Sequence, residues 1–183
     1  TKDGSGTLTL TGPNSFTGGF VLNAGTVVLA NDDATGGALG TGTITLNGGT
    51  LNQYRDSSSY TVATWDLVVP AGRSATLNAD DRINLYGTVA GGGTLVFRIP
   101  YVRTTLFNDW SGFTGTLDVV DSGSGGTGGG DLRMGTAYSF PGFPNCTVKL
   151  GANCAAYYTG TLSAGAGTTV PIGALSGAAS ARL

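Results

Sequence analysis

The sequence predicts an all-β chain folded as a β-solenoid, with one repeat per coil and one narrow core shared by the stacked coils. Three observations lead there. A short strand motif recurs as Gly6-Thr7-Leu8-Thr9-Leu10, Gly25-Thr26-Val27-Val28-Leu29, Gly49-Thr50-Leu51, Gly93-Thr94-Leu95-Val96-Phe97 and Gly115-Thr116-Leu117-Asp118-Val119. Ala75-Thr76-Leu77 fills the gap between the third and fourth. The steps run roughly 19 to 25 residues, the length of one coil. Within each motif apolar and polar residues alternate at the strand period, and no stretch shows a helical one. The 33 glycines follow no Gly-X-Y period, so the chain is neither collagen-like nor, given its alternating strands, disordered.

Taken in order, each repeat offers a first strand and then a second. The second strands are Phe20-Val21-Leu22, Thr43-Ile44-Thr45-Leu46, Asp66-Leu67-Val68-Val69 and Ile83-Asn84-Leu85-Tyr86. Alternation points Leu8, Leu10, Val27, Leu29, Leu95, Phe97, Ile99, Leu117 and Val119 inward. It turns Thr7, Thr9, Val28, Tyr54, Val96, Arg98 and Asp118 outward. Turns are expected at Asn31-Asp32-Asp33, Asn47-Gly48-Gly49, Pro70-Ala71-Gly72 and Gly91-Gly92-Gly93. Residues 121–130 read as a Gly-rich loop, and 131–183 as less regular terminal coils with strands at Asp131–Met134, Thr147–Leu150 and Thr168–Ile172. The whole chain, 1–183, is expected to form a single module of about seven or eight coils.

Charged residues make up 11% of the chain, all 11 acids are Asp, and His and Glu are absent. A net charge of −2 with no basic patch argues against a nucleic-acid partner. No apolar run reaches the roughly 18 residues of a membrane span. Both ends stop inside repeat-like sequence, Gly4-Ser5-Gly6 and Leu175-Ser176-Gly177, as expected of a module cut from a longer chain. Cys146 and Cys154 read as a disulfide of a secreted protein, with two buried free thiols as the alternative.

Gly6-Thr7-Leu8-Thr9-Leu10-Thr11-Gly12, Asn14-Ser15-Phe16-Thr17-Gly18-Gly19 and Asn23-Ala24-Gly25-Thr26-Val27-Val28-Leu29 together resemble the autotransporter-associated β-strand repeat. Trp110-Ser111-Gly112-Phe113-Thr114-Gly115-Thr116-Leu117 repeats its aromatic-Thr-Gly part. The resemblance implies a right-handed, single-stranded parallel β-helix in a secreted or cell-surface protein, and specifies fold better than function. In size, repeat type and aromatic-rich middle coils the chain is also similar to the β-helical carbohydrate-binding modules attached to bacterial xylanases. That likeness implies non-catalytic binding of plant cell-wall polysaccharide, xylan first, by a module tethered to a glycoside hydrolase.

The aromatic residues are the functional lead, because sugar rings stack their C–H faces on Trp and Tyr while their hydroxyls seek Asn, Asp, Arg and Gln. Tyr54, Tyr86, Arg98, Tyr101, Arg103 and Trp110 are the expected carbohydrate-binding residues. Trp65 shares the parity of Leu67 and Val69 and reads as core. Trp110 stands in the turn before Phe113, as either a cap on the core or a platform.

Catalytic readings are weaker. A Ser-His-Asp triad cannot be built without His, and Asp32-Asp33 and Asp80-Asp81 are adjacent pairs that diverge in extended chain. Arg82 beside Asp80 and Asp81 is the sole cluster reminiscent of a calcium-dependent pectate lyase, so no enzyme is expected. Asp118, Asp121 and Asp131 flank the Gly-rich loop as a calcium alternative to plain solvated carboxylates, and no cofactor is expected. Thr7, Thr26, Thr50, Thr76, Thr94 and Thr116 form one expected outward column. The neighbouring column, Thr9, Val28, Asn52, Asn78, Val96 and Asp118, is too mixed for an ice-binding array. The competing function class is a structural or adhesin stalk without a glycan ligand.

Overall fold

The computed structural model describes residues 1–29, 37–53, 61–79, 83–99, 104–123, 129–135, 141–158 and 170–183. Its strands, in chain order, are β1 (Thr7–Leu10), β2 (Phe20–Leu22), β3 (Thr26–Leu29), β4 (Ile44–Leu46), β5 (Thr50–Gln53) and β6 (Thr61–Thr64). Then follow β7 (Leu67–Val68), β8 (Ser74–Asn78), β9 (Ile83–Tyr86), β10 (Val89–Ala90), β11 (Thr94–Ile99) and β12 (Thr104–Leu106). The last are β13 (Thr116–Asp121), β14 (Asp131–Met134), β15 (Phe143–Leu150), β16 (Ala155–Tyr158) and β17 (Ile172–Gly177). The one helical turn among the described residues is a 3-10 turn at Gly37–Leu39.

The strands pair in parallel into three sheets, and the chain is the all-β parallel solenoid its repeats predict. A long sheet runs β1-β3-β5-β8-β11-β13-β15-β17, a second sheet β6-β9-β12-β14-β16, and a third β2-β4-β7-β10. Five of the eight rungs of the long sheet lead into a described strand of the second, so about five coils are regular against the seven or eight expected from length. The tail strand begins at Ile172, four residues later than expected, and runs to Gly177.

Period-two alternation decides which side chains fill the bore. Val27, Leu29, Leu95, Phe97, Ile99, Leu117 and Val119 are buried as expected, while Leu8 and Leu10 of the first rung are half-buried. Trp65 is core, packed with Leu67 and Val69. Thr26, Val28, Val96, Arg98 and Asp118 face outward.

The rungs do not stack at the register suggested by motif similarity. Thr7, Thr26, Thr50 and Thr76 do form one column. Thr94, however, pairs with Ser74, and Thr76 pairs with Val96. A second threonine column, displaced by two residues, then runs Thr94, Thr116, Thr147. The displacement also changes the bore. β3 and β5 each supply two inward residues (Val27 and Leu29, Leu51 and Gln53), whereas Ala75, Leu77 and Ala79 point inward at β8 and Leu95, Phe97 and Ile99 at β11. The core is wider by one column at β8 and β11, and narrows again at β13, where Asp121 takes the place opposite Ile99 and only Leu117 and Val119 are buried.

Coil corners are tight. A Cβ at buried Gly93 would lie 2.5 Å from Pro70 O and 2.6 Å from Arg73 O, so this corner accepts only hydrogen. Among the described residues no helix is long and apolar enough to cross a membrane.

Candidate functional site

The outer face of the second sheet carries the most developed side-chain array. In β9 the alternation that buries Ile83 and Leu85 turns Asn84 and Tyr86 outward. Register places Tyr86 beside Thr64 of the preceding rung, and Asn84 between Val62 and Thr105. Phe107, one residue past β12, stacks on Tyr86 with ring centroids 4.7 Å apart and planes within 5°. That spacing is the distance between adjacent strands, so the two rings form a ladder in step with the backbone. On the far side stands Gly135, where a Cβ would overlap the Phe107 ring at Cδ1 and Cε1. The absence of a side chain there lets the ring lie flat against the next coil. Thr64, on the other side, is exposed, which leaves one face of Tyr86 covered only by a small polar neighbour. Val62, in the adjacent column, is 40% exposed. Phe107 was missed in the sequence, although its place one coil length after Tyr86 was a usable signal.

Arg98 is on the long sheet and does not join this array. It is exposed, in register between Asn78 and Val120, and its Nη2 donates to Ser122 O at 3.4 Å. Asn78 in turn donates to Asn52 Oδ1 at 3.2 Å, continuing a polar column along the rungs. Beside it, Asp118 pairs with Lys149 at 2.9 Å, one coil apart.

Trp110 requires a correction. It is 2% exposed and packed edge-on against Phe113 (5.7 Å) and Phe143 (5.2 Å), with no ring face open for stacking. The turn points it into the core because the Phe143 coil closes over it. Tyr54, Tyr101 and Arg103 lie outside the described residues, as do Asp32, Asp33, Asp80, Asp81 and Arg82. Tyr86 and Arg98 are therefore the expected binding residues that the structure describes at the surface, and it places them on different faces.

The cysteines also depart from expectation. Both are free, buried thiols rather than a disulfide. Cys146 takes an inward position in β15, where burial pushes its thiol up to about 11. Cys154 follows the next turn, its Sγ 3.6 Å from Val119 O, and is raised by burial and by the charge of Asp121. The three acids around the Gly-rich loop are engaged separately. Asp118 has Lys149, Asp121 Oδ1 accepts from Gly123 N at 2.9 Å, and Asp131 is buried. No group of three metal-ligating side chains occurs among the described residues. A groove of about 290 Å³ at the last coil is lined by Leu150, Leu175, Ala178, Ala181 and Leu183, with Arg182 its one ionisable side chain.

Comparison with known proteins places these features in context. Residues 1–29 match the Passenger-associated-transport-repeat family. The chain is 33% identical over 138 residues, 73% of its length, to the adhesin BmaC autotransporter of Brucella suis biovar 1 (strain 1330). It spans about 4% of the length of that curated relative. No solved structure gives a significant match.

Proposed function

We propose that this chain is a run of passenger coils from a secreted or surface-displayed protein, and that it acts as a non-enzymatic stalk presenting an adhesive surface. The observation that carries the reading is the long sheet, whose eight parallel rungs each contact their neighbours and keep neutral or singly charged side chains outward. Such a stack lengthens by adding rungs on the same parallel pairing, which is what a spacer requires. Similarity to a passenger repeat and to an autotransporter adhesin supports the same reading.

Polysaccharide binding, xylan first, is the second reading. It is favoured by the outward Tyr86–Phe107 ladder with Asn84 alongside, an apolar platform flanked by a hydrogen-bonding amide. A tether to a glycoside hydrolase belongs to this reading alone. Affinity electrophoresis against xylan, xyloglucan, β-glucan, mannan and pectin, with and without EDTA, separates the two. A stalk migrates unretarded through all five gels. Selective retardation by one polymer, abolished in a folded Tyr86→Ala variant, would overturn the stalk in favour of a glycan-binding module. Loss of retardation with EDTA would bring calcium back.

A further inference from the structure

The first coils are joined at one corner by a side-chain ladder. Asn47 Nδ2 donates to Asn23 Oδ1 at 2.7 Å, and Asn23 Nδ2 donates to Asp3 Oδ1 at 2.7 Å. Every donor points toward the N-terminus, and Asp3, which can only accept when ionised, ends the run. Asn47 is followed by Gly48, and this is the one Asn-Gly pair in the sequence. That dipeptide has its own chemistry, because glycine leaves the backbone nitrogen unobstructed for attack on the preceding side chain, and asparagine is a thermolabile residue.

We propose that Asn47-Gly48 is a deamidation site gated by the stacking of its coil on the preceding one. In the reaction Gly48 N loses its proton to solvent and bonds to Asn47 Cγ. The Cγ–Nδ2 bond breaks and the side-chain nitrogen leaves as ammonia. Water then opens the cyclic imide at either carbonyl, giving aspartate or isoaspartate. Both reacting groups are held by the preceding coil. The nucleophile, Gly48 N, donates to Leu22 O at 3.2 Å, and Asn47 N donates to the same oxygen at 2.8 Å. The leaving group, Nδ2, is held on Asn23. Gly48 cannot swing freely, since its Cα faces Asn23 O closely enough that a Cβ would come within 2.6 Å of it. Asn47 is half-exposed, so water reaches it once the coil lifts.

The product cannot resume the native contacts. A carboxylate at 47 would present an acceptor to Asn23 Oδ1, itself an acceptor, in place of the lost N–H. Isoaspartate also adds a methylene to the backbone at a corner where Gly49 lies so close to Gly25 O that its own Cβ would be 2.5 Å away. The modification is thus an irreversible loosening of the first coils, and its rate reports how often they open.

The test is peptide mapping by mass spectrometry after incubation of the whole chain in mildly alkaline buffer, reading aspartate and isoaspartate at 47. The native chain is expected to react far more slowly than the same chain in denaturant. Asn23→Ala, folded by circular dichroism, is expected to react about fivefold faster than native, the population change made by losing one hydrogen bond of typical net strength. If Asn23→Ala does not fold, Asp3→Ala decides, because it frees Asn23 without touching Asn47 and should also exceed the native rate. Equal rates for native and denatured chain, or for the native chain and the deciding variant, would overturn the gate.

Discussion

Replacing Gly93 by alanine tests the coil stacking directly. Gly93 is not held at a positive φ, so the effect is steric rather than conformational. The new Cβ would stand 2.5 Å from Pro70 O and 2.6 Å from Arg73 O, and a carbon needs about 3.0 Å at the least. Neither oxygen is free to retreat. Pro70 O accepts from Arg73 N at 3.0 Å, and Arg73 O from Thr94 N at 2.8 Å. Separating the coils by about half an ångström would stretch the Thr94–Arg73 bond and the Gly93 N to Val69 O bond (3.0 Å) to about 3.3 and 3.5 Å, beyond effective geometry. Two weakened hydrogen bonds at about 1 kcal/mol each, with overpacking strain of about 1–3 kcal/mol, give a loss of about 3–5 kcal/mol. Gly12→Ala is the matched control. No atom lies within 4 Å of its would-be Cβ and its φ is not positive, so it should be neutral or stabilise by about 0.5 kcal/mol. Urea unfolding with unchanged slope measures both. A Gly93→Ala stability within about 0.5 kcal/mol of Gly12→Ala would refute the stacking geometry.

The widened core makes a second forecast. Phe97 is fully buried between Leu77 and Val119, so Phe97→Ala should lower unfolding free energy by about 3–5 kcal/mol and Phe97→Leu by much less, read from urea midpoints. The thiol at Cys146 gives a pH dependence. Burial raises it from its ordinary 9.0 to about 11, so between those values the unfolded chain sheds a proton that the folded chain keeps. Stability should therefore hold below pH 9 and fall as pH rises toward 11, and Cys146→Ala should flatten that part of a pH series of unfolding curves.

What the sequence made legible was whatever a strand decides within itself. Parity over four to six residues sorted Val27 from Val28 and Phe97 from Val96, because adjacent side chains on a pleated strand must face opposite ways. Register between coils is a different matter. Ala75-Thr76-Leu77 looks like Gly93-Thr94-Leu95, yet Ala75 pairs with Leu95. The pairing is set by the corner at Pro70–Arg73, where Arg73 O receives Thr94 N, and not by the strand's own letters. Trp110 defeated parity because it lies in a turn, and its direction comes from Phe143, more than thirty residues on. Cys146 and Cys154 look like a bridge by spacing alone, but each is held at its own inward place by neighbours from other coils. The Tyr86–Phe107 ladder needed both the outward parity of Tyr86 and the coil length, and the second was not applied to Phe107.

The two-residue displacement at β8 has a consequence for assembly. A stack of near-identical rungs invites mispairing, since β3 laid on β11 would offer the same Gly-Thr-Val/Leu letters as its proper partner β5. In this chain such a slip would set a strand with two inward side chains against one with three, leaving Leu95 or Ile99 facing nothing. The local widening at β8 and β11 therefore works as a notch on a key: Ala75 of β8 and Ala79 just past it are the small inward residues that face Leu95 and Ile99, so the shape of the core marks these two rungs as partners.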